Sequence, residues 1–425
     1  MLCGVAGTDI TPEPGLVLQG HRNSNPSHTV LYPLEARAVV LEETDTRIAI
    51  ASVDAIGVTL EMTERIRERV ESECDIPGGH VMVVCSHTHC APPTIPFLGS
   101  MEQNQAFVKR IENSVVESIQ SAVSNMHPVA FGLGCGSVHF NINRRPMPGQ
   151  SGMALNYGGL VDRRVRVLRL DREDGTPLAV LFHYSCHTTT KSGAEGYISP
   201  DYAGIARQYI EASLGCKALF FPGCFGNIRP AILSEGGGFE SASKEQLEAC
   251  GHELGREVCR VAGWLKSRKF SGLNARTRSL KIPYGPPAHS EDEFKAMVKQ
   301  PRNLGAKHPG AWAGRMLDLM QKGIPRGVAT EMQMLRFGPV LLFAIPGEPA
   351  QEIGHALEKA NRGQLGAEDV WPVGYANDEV GYFCTERQHE EGGYEPNSFE
   401  VYNHPGPFKD EEKVILKAAQ TLARG

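Results

Sequence analysis

Short apolar runs rich in β-branched residues recur along the chain, most of them bounded by glycine, proline or charge. Residues 36–41, 47–53, 81–85, 165–170, 178–183, 218–221 and 340–345 each have the length and composition of a buried strand. Helical spacing separates several of them. Across 103–126, Phe107, Val108, Ile111, Val115, Ile119 and Val123 fall on one stripe, and Pro128 stops the pattern. Ser243 and Gln246 make a capping box ahead of Leu247, Leu254, Val258 and Val261. A third helix is expected after Pro349, with Ile353 and Leu357 inward. Strands alternating with helices predict an α/β fold. The expectation is a layered single domain over 1–425, with a central mixed sheet flanked by helices. No repeat or linker divides the chain; Gly236-Gly237-Gly238 and 283–287 read as surface punctuation.

Composition narrows the picture. The 425 residues, 41% of them hydrophobic, suffice for a sizeable core. A net charge of -6 and a pI near 6.2 leave no electrostatic footprint for nucleic acid. The densest basic run, Arg163-Arg164-Val165-Arg166, alternates into an apolar strand and reads as a solvated strand face. No apolar stretch reaches the length of a membrane span. Met1-Leu2-Cys3-Gly4-Val5 lacks the charged region, apolar core and cleavage site of a secretory signal. Eleven cysteines, an odd number without a CxxC pair, argue against a disulfide framework or a thiolate zinc site. A cytoplasmic location is expected, and the oligomeric state is left open.

The candidate chemistry sits where strands end. Ser86-His87-Thr88-His89 follows the run 81–85, and side chains two apart in a strand share a face. His87 and His89 are therefore expected to leave the sheet side by side. Such a pair suits zinc ligation and proton transfer, and equally a hydrogen-bonded structural role. His183-Tyr184-Ser185-Cys186-His187 follows another apolar run and carries the same two readings. Glu348 lies at a strand-to-helix turn, either as a group over the sheet edge or as an anion favoured by a helix N-terminus. Tyr375, Tyr382 and Tyr394 fall in a loop-rich stretch, off any periodic element. Three common signatures fail. His252-Glu253-Leu254-Gly255-Arg256 has arginine at the second zincin ligand position, and Gly149-Gln150-Ser151-Gly152-Met153 lacks the last glycine of a nucleophile elbow. Gly132-Leu133-Gly134-Cys135-Gly136 has the wrong spacing for a dinucleotide loop.

Taken in order, six segments resemble a known family. They are Gly4-Val5-Ala6-Gly7-Thr8-Asp9-Ile10-Thr11-Pro12, Ser86-His87-Thr88-His89, Asn143-Arg144-Arg145-Pro146, Cys186-His187-Thr188-Thr189, Ile345-Pro346-Gly347-Glu348, and Tyr382-x-x-Thr385 with Tyr394-Glu395. Over nearly the whole chain they look like the catalytic domain of the neutral (alkaline, non-lysosomal) ceramidases. That family uses one zinc to hydrolyse the amide of N-acylsphingosine. The resemblance implies His87, His187, Glu348 and Tyr382 as zinc ligands, and His89, Arg144 and Tyr394 as catalytic, substrate-polarising groups. Two imidazoles and a carboxylate also form a mixed shell typical of catalytic zinc, which keeps a position for water.

The family's Gly-Asp-x-Ser-Pro-Asn segment reads here as Gly226-Asn227-Ile228-Arg229-Pro230-Ala231. Asn227 and Arg229 are therefore expected to line a substrate pocket of altered charge. Arg229 and Arg144 could present a fork to a carboxylate or phosphate. Neither the family's C-terminal β-sandwich domain nor its export signal is expected. The reading that results is a cytoplasmic zinc-dependent hydrolase of a linear amide in a small soluble substrate rather than ceramide. Alternatives are a ceramidase proper, an esterase or lactonase on the same zinc, and a binding protein without catalysis. Retention of all four matched ligands speaks against the last.

Overall fold

The computed structural model describes residues 1–20, 26–97, 102–147, 152–299 and 310–424. Eight strands form one sheet, in the order Lys217–Pro222, Pro177–Tyr184, Arg164–Arg172, His127–Ser137, Leu2–Asp9, Glu35–Glu43, Thr46–Val53, Val81–Cys85. The outermost pair on each edge runs parallel and the inner pairs antiparallel, so the sheet is mixed. A second sheet has four strands, Leu273–Pro283, Gly327–Phe337, Val340–Ala344 and Asp369–Val373.

Strand alternation divides the core. Along Glu35–Glu43, Ala36, Ala38 and Val40 face the helices Leu60–Cys74 and Gln105–Val123, while Val39 and Leu41 face the opposite way. Ala218 and Phe220 likewise pack towards Asp201–Leu214 and Lys244–Ala262, with Leu219 and Phe221 on the other face. Strands covered on both faces read as continuous apolar runs, which is why they are visible in the sequence.

The inner faces meet a second sheet. Leu335, Phe337, Leu342, Trp371 and Val373 share one core with Val39, Leu41, Leu219 and Phe221. Helices Gln351–Asn361 and Glu411–Arg424 cover the far side of that second sheet. The expected mixed sheet with flanking helices is present, and on its inner face it is another sheet, not a helix layer, that packs. Twist accumulated over eight strands curls the large sheet on itself. Its two halves touch where Arg37 Nη1 donates to Ala218 O at 2.8 Å and Ser52 Oγ donates to Phe220 O at 2.9 Å. The concave face left inside suits another twisted sheet.

The expected helix over 103–126 is observed as Gln105–Val123, with Asn104 Oδ1 accepting from Phe107 N at 3.0 Å. Lys244–Ala262 begins at the expected capping box. Leu2–Asp9 and His127–Ser137 escape the pattern because glycine interrupts their alternation. A Cβ at Gly4 would stand 1.8 Å from Ala122 O, so the helix backbone rests directly on that strand. Gly132, Gly134 and Gly136 share one face and form a flat strip against Leu265, Val261 and Glu257. Gly149, Gln150 and Ser151 lie outside the described residues. All eleven cysteines are free thiols. Among the described residues, no helix is long and apolar enough to cross a membrane.

Candidate metal centre

The strand Val81–Cys85 ends before the first histidine, and His87 sits at φ 63°, in the left-handed region. Strand alternation therefore does not deliver the His87/His89 pair, contrary to the sequence expectation; a turn does. That conformation costs on the order of 1 kcal/mol or more and persists where surroundings fix it. Here His87 N donates to Ala55 O at 2.9 Å, and the Tyr375 ring, itself at φ 58°, lies 4.2 Å from the imidazole. Phe225 stacks behind Tyr375 at 4.3 Å. The turn brings His89 Nε2 to 3.3 Å from His87 Nε2.

His187 follows the strand Pro177–Tyr184 and enters from the other half of the large sheet. Glu348 comes from a two-residue strand, Glu348–Pro349, whose parallel partner is Tyr382–Phe383; Glu348 and Tyr382 are register partners. His187 Nε2 lies 3.0 Å and His87 Nε2 3.3 Å from the same oxygen, Glu348 Oε2. All three side chains are buried.

The backbone decides the tautomers. His87 Nδ1 lies 2.6 Å from Ile56 O, and His187 Nδ1 lies 2.7 Å from Phe225 O and 2.9 Å from Ile228 O. Carbonyls only accept, so each Nδ1 carries a proton, and whenever a ring is neutral its Nε2 lone pair faces Glu348. Burial, followed by the Arg144 guanidinium, pushes His187 down to about 3, so its ring is neutral at physiological pH. Burial raises the Glu348 carboxyl and facing positive charge holds it well below its usual range; beside a neutral His187 ring, a bound cation would supply that charge. Two lone pairs and an anionic oxygen this close repel one another without a cation among them. Imidazoles whose far nitrogens are tied to carbonyls, beside a carboxylate, suit a divalent metal. The residues fit one.

A cavity of about 400 Å³ opens beside this cluster, lined in part by His89, Arg144, Arg229, Tyr382 and Tyr394. Arg144 is buried: Nε donates to Glu395 Oε1 at 3.0 Å, and Nη2 donates to Gly226 O at 2.6 Å and to the Tyr382 hydroxyl at 3.0 Å. Its guanidinium also lies 5.4 Å from the Tyr394 ring centre. Arg229 lies 4.4 Å over the Phe239 ring, and its Nε is buried without a hydrogen-bond partner. No ion pair to Arg229 is present among the described residues. Burial, then repulsion from Arg144, brings it down to about 10.

Asn227 is not brought to the cavity. Its Oδ1 accepts from Gln351 N at 2.8 Å and its Nδ2 donates to Glu352 Oε2 at 2.9 Å, so the amide holds the start of the helix Gln351–Asn361. His183, beside the second candidate histidine, is likewise structural: its ring lies 3.0 Å from Arg166 Nη1 and 2.9 Å from Pro372 O. Sequence reasoning missed Tyr402, whose hydroxyl donates to Glu348 Oε1. Tyr402 lies in an aperiodic stretch with no motif around it, so nothing local marked it.

A curled mixed sheet closed by a second sheet, with two buried imidazoles and a carboxylate converging in the turns beyond its strands, defines the class of this protein. The chain belongs to the neutral/alkaline non-lysosomal ceramidase family, whose N-terminal model matches residues 1–223. It is 23% identical over 309 residues to a neutral ceramidase of Pseudomonas aeruginosa, covering 67% of this chain and 45% of that protein. It is 24% identical over 230 residues to a neutral ceramidase of Oryza sativa subsp. japonica, covering 49% of this chain and 28% of that one. The chain thus spans less than half the length of these curated relatives. In fold it is similar to a ceramidase complexed with C2, with a TM-score of 0.78, 18% identity, and coverage of 99% of this chain and 74% of that one. Neutral ceramidase from Pseudomonas aeruginosa follows, with a TM-score of 0.74, 20% identity and coverage of 100% and 74%.

Proposed function

We propose that this protein is a zinc-dependent amidohydrolase with His87, His187, Glu348 and Tyr382 as ligands and a small anionic N-acyl compound as substrate. The observation that carries the reading is the convergence of two tautomer-fixed imidazoles on one Glu348 oxygen beside an arginine- and tyrosine-lined cavity. Zinc supplies hydroxide near neutral pH and polarises a carbonyl. The protein's own groups do the rest. His89, whose Nε2 faces His87, is in reach of the reacting atoms to hand a proton to the departing amine. Arg144 and Tyr394 present donors and positive charge where a carbonyl oxygen becomes anionic. Arg229, a guanidinium on the wall with no acid paired to it among the described residues, favours a carboxylate or phosphate on the substrate.

Metal analysis and a substrate panel test this. Purified protein should contain a divalent metal and lose turnover on chelation, with return on adding zinc. Soluble N-acyl amides bearing an acid should be cleaved faster than short-chain ceramide or matched esters. Preferred turnover of ceramide would leave the metal centre standing and overturn the substrate; preferred ester cleavage would overturn the amide.

A further inference from the structure

Away from the cavity, three donors of different chemistry meet. Cys384 Sγ, a His389 ring nitrogen and a Glu411 carboxylate oxygen all lie within 4.8 Å of one another. His389 Nε2 is 2.5 Å from Glu411 Oε1, and the same oxygen accepts from Cys384 N at 3.2 Å. Cys384 and Glu411 are buried, whereas His389 is 26% exposed, so the group can be reached from solvent. A hollow of about 320 Å³ opens there, and Glu386 and Glu412 also line it.

Each donor is held by a different element. Cys384 directly follows the short strand Tyr382–Phe383. His389 is in the helix Glu386–Glu391, which starts at a Thr385/Gln388 capping box. Glu411 opens the helix Glu411–Arg424. The helix dipole and the His389 hydrogen bond account for Glu411. They do not account for a thiol as the third member of the group.

We infer that Cys384, His389 and Glu411 form a second divalent-metal site, best matched to zinc. Sulfur, imidazole and carboxylate together select zinc over the hard cations, which prefer oxygen alone. Three protein ligands with the hollow alongside leave a fourth position for water or a flanking carboxylate. Binding releases the thiol proton to solvent. The ion would fasten the segment carrying Tyr382 and Tyr394 to the start of the last helix. The catalytic centre contains no thiolate, so this site stands or falls independently of that reading.

Cobalt separates the two centres, because only a thiolate ligand adds a sulfur-to-cobalt charge-transfer absorption in the near ultraviolet. Chelator-stripped full-length protein is titrated with cobalt and, separately, with zinc. The expected result is that absorption, with about one equivalent of zinc fewer bound per chain in Cys384→Ser than in the parent. His389→Gln, a change at a part-exposed position, should weaken the same equivalent and shift the spectrum. Cobalt-loaded protein without the thiolate absorption overturns the site. So does absorption that persists unchanged in both variants, since another of the eleven cysteines would then be its source.

Discussion

The Tyr402 hydroxyl donates to Glu348 Oε1, while Oε2 of the same carboxylate faces two imidazoles. The carboxylate is thereby oriented with one oxygen pinned and the other presented. Partners of this kind set ligand orientation and basicity, and removing one typically costs about 10–100-fold in metal affinity or activity. Tyr402→Phe keeps the ring against Phe97 and Tyr382 and removes only the donor. A drop of that size in zinc affinity, measured by competition with a chromogenic chelator, is expected. Unchanged affinity would show that Glu348 is held by packing alone.

His89 is expected to act without holding the metal. His89→Ala should retain zinc and lose about 10²–10⁴-fold in kcat, the range for a positioned general acid. Metal content and turnover are read on the same preparation. Loss of the metal would place His89 among the ligands instead.

Arg229 should govern selectivity. Arg229→Ala is expected to lower kcat/KM for an anionic amide by about 1.5–3 kcal/mol, the usual worth of a hydrogen bond to a charged group. A neutral amide of the same size should be affected little. Equal losses on both would assign Arg229 to the wall's structure, through Phe239, rather than to the ligand.

Asp378 links stability to pH. Burial raises its carboxyl to about 7, although Oδ1 accepts from Leu60 N and Glu379 N and Oδ2 from the Thr330 hydroxyl. The folded state therefore binds a proton that the unfolded chain has already released above about pH 4. Stability is full below that pH and falls as pH rises towards 7, by at most about 1.4 kcal/mol per unit. Asp378→Asn keeps an oxygen for the two backbone donors and removes the charge. In urea melts it should gain on the parent protein from pH 5 to pH 7; a constant difference would show that the carboxyl is ionised throughout.

Gly4 tests the fold itself. A Cβ there meets the Ala122 backbone carbonyl, not a side chain that can swing aside. Gly4→Ala should destabilise by about 1–3 kcal/mol or more, read as a lowered urea midpoint. An unchanged midpoint would mean that the helix Gln105–Val123 can lift from the strand freely.

Burial on both faces made the strands Glu35–Glu43, Thr46–Val53, Val81–Cys85 and Lys217–Pro222 legible in the sequence, since such strands must be apolar throughout. Helices with one buried stripe and a capping side chain were legible too, as at Asn104 and Ser243. His87 was marked by the apolar run before it, whereas His187, four residues past the end of its run, and Glu348 were singled out by the ordered resemblance. The strands Leu2–Asp9 and His127–Ser137 were not legible, because glycines chosen for close approach carry no hydrophobic signal. Only the tertiary structure decided that a second sheet closes the inner core, that Asn227 caps a helix, and that Tyr402 reaches Glu348. Those outcomes depend on twist summed over eight strands and on contacts between residues far apart in the chain. Local periodicity records what one element buries, not which distant element buries it.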